Sequence, residues 1–181
     1  MGFVSSRRHG QTWDDAKKLH EILMDFDFQT TGSNESHFER ELSSVLRNQK
    51  KNFNNEVITQ TSKTTKVNSV YCFGKNHRPD MTIGEDGIAI EMKFISYDGL
   101  KSAIGQGYFY RLRYKYVFLV MILSDKRKDV YEEIERGKEK DLEDILQYLA
   151  EELNVFTYIA PSFVVDKTAM RKIIPFFNHK D

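Results

Sequence analysis

The segment Arg78–Lys93 reads RPDMTIGEDGIAIEMK and organises the fold of this chain. Two apolar runs flank the turn GEDG, whose glycines provide the backbone freedom that a tight connection needs. We therefore predict a β-hairpin in which the strand Asp80–Ile83 pairs with the strand Ile88–Ile95. Pro79 keeps the chain extended as it enters the first of these strands.

The second strand of this hairpin carries charged groups inside an apolar run. Because side chains alternate between the two faces of a strand, Glu91 and Lys93 share one face with Ala89. The opposite face carries Ile88, Ile90, Met92 and Phe94. Burying a carboxylate or an ammonium costs several kcal/mol per ion unless the ion is paired or binds something. Glu91 and Lys93 are therefore either a plain ion pair or part of a site.

Asp80 favours the site. It begins the partner strand, so its carboxylate can approach that of Glu91 across the hairpin. Two carboxylates that converge in a buried position repel, and one of them is pushed toward protonation. A hard divalent cation with oxygen ligands removes that conflict. The sequence therefore predicts a divalent metal ion held by Asp80 and Glu91.

Upstream of the hairpin, apolar residues at helical spacing predict a first helix over Trp13–Phe28. The polar stretch QTTGSNES then precedes a second helix with Phe38, Leu42, Val45 and Leu46 on its inner stripe. From Glu56 to Phe73 the abundance of Thr and Val predicts two strands, which we expect to form a second hairpin.

Downstream, residues 98–113 are predicted to be a helix and Tyr116–Leu123 a fully buried strand. One or two charged helices follow over residues 127–153. Their inner stripe is predicted to contain Leu142, Ile145, Leu146, Leu149 and Leu153. The stretch VFTYIA is expected to be the last strand. This order predicts an α/β sandwich with a mixed sheet.

Composition bounds the class of protein. The 181 residues are expected to form a single domain, 1–181. Lys plus Arg and Asp plus Glu both number 27, so any basic surface must be local. Cys72 is the single cysteine, which excludes a disulfide framework and fits a reducing compartment. Without a membrane span or an apolar leader in the sequence, we expect a cytoplasmic protein with no membrane partner.

The pattern Pro79-Asp80 followed by Glu91-Met92-Lys93 resembles the PD-(D/E)xK nuclease superfamily. The stretch QGYFY places Gln106 and Tyr110 four residues apart, which is similar to the QxxxY motif of RecB-type and phage exonucleases. The helix HFERELSSVL resembles the first helix of archaeal Holliday junction resolvases. Together these features cover about residues 36–123. The resemblance implies a restriction endonuclease-like, three-layer sandwich with a central mixed β-sheet flanked by helices.

The resemblance also implies a Mg²⁺-dependent reaction on DNA, with Mn²⁺ as a substitute. Asp80 and Glu91 would hold the metal, which Glu39 would reach through water. Lys93 would orient the attacking water and offset charge that builds on the phosphate. Gln106 would position the substrate or the lysine.

Several of these residues have a second explanation. Glu39 follows Ser36 by three residues, so SHFE is also a capping box, in which case Glu41 becomes the substitute candidate. Gln106 and Tyr110 lie in an aromatic segment and could be packing residues, which is the favoured reading for Tyr110. His77 is assigned no more than a solvated or phosphate-facing role.

A local basic rim is expected to bind the nucleic-acid backbone. Its candidate residues are Lys75, Arg78, Lys101, Arg111, Arg113 and Lys115, with Tyr110 as a further nucleic-acid contact. Ordinary solvation of helix and turn surfaces is the competing explanation for these cations.

Three functions remain open from the sequence. The first is a Mg²⁺-dependent deoxyribonuclease, for which QxxxY favours the exonuclease branch without excluding an endonuclease. The second is a non-catalytic nucleic-acid-binding or interaction module with the same fold. The third is an accessory subunit that needs a specificity or targeting partner. Homodimerisation is compatible with all three.

Overall fold

The computed structural model describes residues 7–28, 34–60, 62, 65–95, 97–163 and 172–177. Its helices are α1 (Gln11–Met24), α2 (Glu35–Asn48), α3 (Tyr97–Tyr110), α4 (Lys128–Glu135) and α5 (Lys140–Leu153). Its strands are β1 (Val57–Thr59), β2 (Val70–Cys72), β3 (Lys75–His77), β4 (Met81–Ile83), β5 (Ile88–Ile95), β6 (Tyr116–Leu123), β7 (Val155–Pro161) and β8 (Ile174–Phe176). Short 3₁₀ turns follow α2 and precede α4.

Six strands form one mixed sheet in the order β1-β4-β5-β6-β7-β8. β5, β6 and β7 run parallel, whereas β1, β4 and β8 pair antiparallel with their neighbours. Parallel neighbours need long crossover connections, and α3 supplies one while α4 and α5 supply the other. The described chain is therefore an α/β protein with a mixed sheet flanked by helices, as the sequence predicted.

The sheet has an apolar core on each face. Ile88, Ile90 and Met92 of β5 pack in one cluster with buried residues of α1 and α2. Ala89 and Ile95 of the same strand pack in the second cluster, with residues of α3, α4 and α5. The alternation predicted for β5 is therefore present, and the helices form a layer on either side of the sheet.

The hairpin predicted from the segment Arg78–Lys93 is also present. β4 pairs with β5 in a register that joins Met81 to Ile90 and Ile83 to Ile88. β6 covers Tyr116–Leu123 and is buried along its whole length. Two parallel neighbours and two apolar cores explain why YVFLVMIL contains no charge.

The second predicted hairpin, between Glu56 and Phe73, is wrong. β1 pairs with β4 in the main sheet, while β2 pairs with β3 in a separate two-stranded sheet. The strands exist, but β1 pairs with the more distant β4, and β2 pairs across a two-residue turn with β3, a strand that the sequence pattern did not indicate. β7 is likewise not the last strand, because β8 follows it and pairs with it antiparallel.

Ile145 was predicted to face inward and does not. Its side chain is 51% exposed, whereas Leu146 and Leu149 are buried. The buried stripe of α5 is narrow, and Ile145 lies about 100° around the helix from Leu146. No helix in the described part of the chain is long and apolar enough to cross a membrane. Most of the polar stretch between α1 and α2 lies outside the described residues.

Candidate functional site

The candidate site lies where β4 ends beside β5. The register joins β4 to β5 only as far as Ile90, so the rest of β5 extends beyond its antiparallel neighbour. There the N–H of Met92 donates to Asp80 Oδ2 at 2.8 Å. Two residues on, the N–H of Phe94 donates to Glu35 Oε2 at 2.8 Å. Two side-chain carboxylates thus take the positions at which a longer β4 would have accepted main-chain hydrogen bonds.

Glu91 is the buried centre of the site, with only 3% of its side chain exposed. Its Oε1 lies 3.1 Å from Lys93 Nζ, and its Oε2 accepts a hydrogen bond from the Tyr110 hydroxyl at 2.9 Å. Burial raises the pKa of Glu91, while Lys93 and Tyr110 oppose that rise. Lys93 and Tyr110 therefore each orient one oxygen of the Glu91 carboxylate.

Lys93 lies between two carboxylates. Besides Glu91, its Nζ contacts Glu35 Oε1 at 3.2 Å. Burial lowers the pKa of the Lys93 ammonium, but Glu91 and Glu35 together raise it above its ordinary value. Lys93 is therefore a protonated hydrogen-bond donor at neutral pH, and its position is fixed by α2 as well as by its own strand.

Asp80 experiences the repulsion that the sequence predicted. Burial and the nearby Glu91 carboxylate raise the pKa of Asp80 to about 8, with a further contribution from Glu39. The bond from Met92 N–H and the charge of Lys93 act in the opposite direction. Lys93 and Tyr110 favour the charged form of Glu91. Gln60 Nε2 donates to the other oxygen, Asp80 Oδ1, at 3.3 Å.

Glu39 belongs to this cluster, and the capping-box explanation is wrong. The N-cap of α2 is Asn34, whose side chain accepts from Ser36 N–H at 3.1 Å. Ser36 is therefore inside the helix and does not cap it. Burial and the charge of Glu35 raise the pKa of Glu39, which also interacts electrostatically with Lys93. Glu41 lies on the other flank of the apolar stripe of α2.

Glu35 is the site residue that sequence reasoning missed. It is the first residue of α2 and reaches both Lys93 and Phe94 across a separation of more than fifty positions. One signal could have found it: Glu35 and Glu39 are four residues apart and so lie on one face of the helix.

The QxxxY residues lie on α3, where Tyr110 packs in the second core, as its favoured explanation predicted. Its side chain is 1% exposed, so it cannot contact nucleic acid, and its hydroxyl holds Glu91. Burial and the Glu91 charge raise its pKa well above the ordinary value, so it remains a donor. Gln106 lies one turn earlier on α3. Its buried Oε1 has no hydrogen-bond partner among the described residues.

The predicted basic rim is partly wrong. Arg111 is buried, and its guanidinium donates to the carbonyls of Leu153 and Tyr114. Burial lowers the pKa of Arg111 to about 10, and the residue serves to join the end of α3 to the end of α5. Arg113 pairs with Asp86 at 2.6 Å. The exposed members of the predicted rim are Lys75, Arg78, Lys101 and Lys115.

A polar groove of about 480 Å³ lies beside the carboxylates, along α2. Glu39 and Gln60 form the part nearest the site, since Gln60 bonds Asp80. The rest of the lining comes from Arg40, Ser43, Ser44, Arg47, Asn48 and Thr59. Arg47 donates to Thr59 Oγ1 at 2.8 Å, which fixes this guanidinium on the groove wall. The groove therefore combines cations with hydroxyl and amide donors.

A second pocket, of about 330 Å³, lies between β5–β7 and the helices α3–α5. Its lining is mainly aliphatic, with Arg127 and Glu139 as its charged members. It contains no facing carboxylates, so we assign the candidate chemistry to the Asp80–Glu91 region instead.

The described residues contain no group of three or more His, Cys, Asp or Glu side chains arranged to hold a metal ion. Asp80 and Glu91 therefore offer two carboxylates, and a metal bound there would need water, main-chain or substrate oxygens as its other ligands. No family model, curated protein or solved structure matches this chain.

Proposed function

We propose that this chain is a metal-dependent nuclease that hydrolyses phosphodiester bonds of DNA on a restriction endonuclease-like fold. One observation carries the proposal: Asp80 and Glu91 interact in a largely buried position, where burial and the Glu91 charge raise the pKa of Asp80 to about 8. A purely structural pair at this position would be costly. A divalent cation between the two carboxylates would relieve the repulsion.

The local charge balance supports a cation. Asp80, Glu91, Glu39 and Glu35 interact with one another around the single ammonium of Lys93. Lys93 and Arg40, whose charge acts on Glu39, do not neutralise four ionised carboxylates. Mg²⁺ commonly binds through one or two carboxylates while it keeps several waters and takes oxygens from a substrate phosphate. The donor set of this site therefore fits Mg²⁺ or Mn²⁺ better than a metal that demands a complete protein cage.

Each residue has a definite task in the proposed reaction. A bound Mg²⁺ would polarise the phosphoryl group and lower the pKa of a bound water. Lys93 remains protonated and would orient that water and stabilise negative charge on the phosphate oxygens. Tyr110 and Glu35 hold Glu91 and Lys93 in position through their bonds to them. Gln106, with its unpaired buried oxygen one turn from Tyr110, remains the candidate for positioning the substrate or the lysine.

The groove along α2 supports a nucleic-acid substrate. Arg40 and Arg47 line it together with hydroxyl and amide side chains, next to Glu39. Phosphate oxygens are recognised by this combination of cations and neutral donors. Glu39 and Gln60 join the groove to the carboxylates, so we propose that the scissile strand runs along α2.

The fold proposal rests on the order of elements around the site. A helix that provides acidic residues, a hairpin that provides Asp80, Glu91 and Lys93, and a crossover helix with Gln106 and Tyr110 follow one another in the chain. This is the arrangement that the resemblance to the PD-(D/E)xK superfamily implies. Function on such a fold is argued from the site, because one fold supports many reactions.

Incubation of the purified chain with linear, circular, branched and single-stranded DNA tests the proposal. We expect cleavage with Mg²⁺ or Mn²⁺ and none with EDTA. Degradation from the ends of linear DNA indicates an exonuclease, and nicking of circles indicates an endonuclease. Binding without cleavage would instead support the non-catalytic module, and cleavage only with an added partner would support the accessory subunit. Failure to cleave any substrate, with no metal bound by calorimetry, would overturn the proposed function.

A further inference from the structure

The hairpin formed by β2 and β3 carries a fully exposed aromatic side chain at its tip. Phe73 and Gly74 connect the two strands, and 97% of the Phe73 side chain is exposed. Both residues have positive φ, 54° at Phe73 and 76° at Gly74. Positive φ at both central residues is the pattern of a type I′ turn.

Folding does not account for a phenylalanine at this position. Type I′ turns favour Asn, Asp or Gly as the first central residue, and positive φ is strained for a bulky side chain. An exposed ring also contributes no burial of apolar surface. Phe73 is therefore unfavourable for the turn conformation and gains nothing from the core, so its presence here points to a contact outside the chain.

The base of the hairpin is anchored, whereas its tip is not. Val70 is buried in the core beneath α3. The His77 ring packs against the Phe109 ring of α3, with the two ring centroids 4.9 Å apart. Tyr71 is 72% exposed next to the tip. Lys75 and Arg78 are exposed along the returning strand and just beyond it. The hairpin is thus an anchored arm with two exposed aromatic rings and two cations.

The arm leads directly into the candidate site. β3 ends at His77, and Asp80 follows three residues later. Phe73 precedes Asp80 by seven residues. At roughly 3.3 Å per residue the tip lies within about 23 Å of Asp80, a distance of a few nucleotides.

We propose that this arm binds the nucleic-acid substrate by stacking Phe73 on an unpaired base, with Lys75 and Arg78 on nearby phosphates. The inference rests on the proposed function. Aromatic side chains combined with cations are how proteins bind single-stranded segments without reading sequence. The exposed apolar side chains of α5, Ile145 and Tyr148, have acidic neighbours in the helix and lack this combination.

Phe73→Asn provides the sharpest test, because the turn and the proposed contact respond in opposite directions. Asparagine suits the positive φ, so the melting temperature should stay the same or rise. Affinity for a single-stranded or forked oligonucleotide, measured by fluorescence anisotropy in EDTA, should fall about tenfold, given the usual contribution of one stacked base. Affinity for a blunt duplex should change little. Tyr148→Ala is the matched control and should alter neither.

A second variant detects stacking directly. Phe73→Trp should retain affinity, and the fluorescence of the new indole should be quenched on binding single-stranded DNA. The native Trp13 is buried and should contribute little to that quenching. Unquenched fluorescence in the bound complex, or wild-type affinity in Phe73→Asn, would overturn the role of the arm.

The outcomes also separate this inference from the proposed nuclease. If the wild type cleaves DNA and Phe73→Asn binds and cleaves equally well, the arm inference fails and the nuclease stands. If the wild type neither binds nor cleaves, both fail. If Phe73→Asn instead dissociates a dimer in light scattering and leaves DNA affinity unchanged, the arm is a protein contact and the inference is overturned.

Discussion

The two halves of β5 differ in the groups that hydrogen-bond to one edge of the strand. From Ile88 to Ile90 the strand has main-chain partners on both edges, β4 on one side and β6 on the other. From Glu91 onward β6 continues, but the opposite edge is bonded by the carboxylates of Asp80 and Glu35. The first half contains only apolar side chains, whereas the second half contains Glu91 and Lys93.

This difference shows how a sheet can create a reactive site. Main-chain carbonyls accept the hydrogen bonds of a strand edge without adding charge. Carboxylates that accept the same bonds place negative charge next to a buried strand. The second half of β5 therefore has hydrogen-bond partners on both edges, but the Asp80 and Glu91 carboxylates interact there in a largely buried position. The raised pKa of Asp80 reflects this burial and repulsion. The predictions that follow test whether the second half serves chemistry and the first half only packing.

Asp80→Asn should have the largest effect. We expect cleavage to be lost, because a metal would lose one of its two carboxylates. The amide oxygen can still accept from Met92 N–H, and the repulsion with Glu91 disappears, so the apo variant should melt at or above the wild-type temperature in EDTA.

Mg²⁺ at a hundredfold excess over its Kd should stabilise the wild type by about 2.7 kcal/mol and the variant little. Asp144→Asn, on an exposed face of α5, is the control. Strong destabilisation of Asp80→Asn in EDTA, with no metal-dependent shift in the wild type, would make Asp80 a structural turn residue.

Lys93→Met should reduce cleavage by at least about 100-fold, the size of single electrostatic contributions in active sites. The aliphatic stem is kept, while Glu91 and Glu35 lose their shared cation. We expect metal binding, measured by calorimetry, to persist. Lys138→Met removes an exposed charge from the turn between α4 and α5 and should leave the rate unchanged. A near-normal rate in Lys93→Met would reduce the lysine to an ion-pair partner.

Raising the pH from about 4 to about 8 should destabilise the apo protein. The pKa of Asp80 is 3.8 when unperturbed and about 8 in the fold, so the folded state holds a proton that unfolding releases. The contribution of Asp80 to the free energy of unfolding is fully present below about pH 4. It is lost as the pH rises to about 8, by up to about 1.4 kcal/mol per pH unit. Melting curves in EDTA across this range should show the decline in the wild type and a weaker one in Asp80→Asn. Equal slopes for the two proteins would mean that Asp80 ionises normally.

Tyr110→Phe should lower both stability and activity. The change removes the donor to Glu91 Oε2, and a buried acceptor left unsatisfied costs about 1–3 kcal/mol. We expect a roughly tenfold loss of rate because Glu91 is no longer held. Tyr114→Phe is the matched control, since its hydroxyl bonds the Asn68 carbonyl away from the carboxylates. Tyr114→Phe should lose a comparable amount of stability and keep its activity. Equal losses of rate in Tyr110→Phe and Tyr114→Phe would instead indicate that both changes loosen α3.

Glu35→Ala should have the smallest effect of the series. The N–H of Phe94 loses its acceptor, which costs about 1 kcal/mol by chemical denaturation. Lys93 keeps Glu91 as a partner, so the rate should fall only a few fold. Glu133→Ala, which removes an exposed carboxylate of α4, should be neutral. If Glu35→Ala equals Lys93→Met in activity, Glu35 takes part in the chemistry directly.

Local periodicity carried much of the prediction. The β4–β5 hairpin, the buried strand β6 and the common face of Glu91 and Lys93 follow from a side-chain period of two and from turn glycines. The pairing of Asp80 with Glu91 across the hairpin follows from the same local geometry. These features involve residues close together in the chain, where few alternatives exist.

Tertiary contacts decided what the pattern left open. The partner of β1, the exposure of Ile145 and the burial of Arg111 all depend on which surfaces meet. The same holds for the bond from Tyr110 to Glu91.

The sequence by itself determined that an acidic pair and a lysine share one hairpin, because strand alternation is a property of the local backbone. Only the tertiary structure decided that Glu35, fifty-nine residues before Phe94, completes the edge of β5. Hydrogen bonds between distant segments depend on how the helices dock on the sheet. No local spacing encodes that docking, since it is the sum of many packing contacts across the two cores.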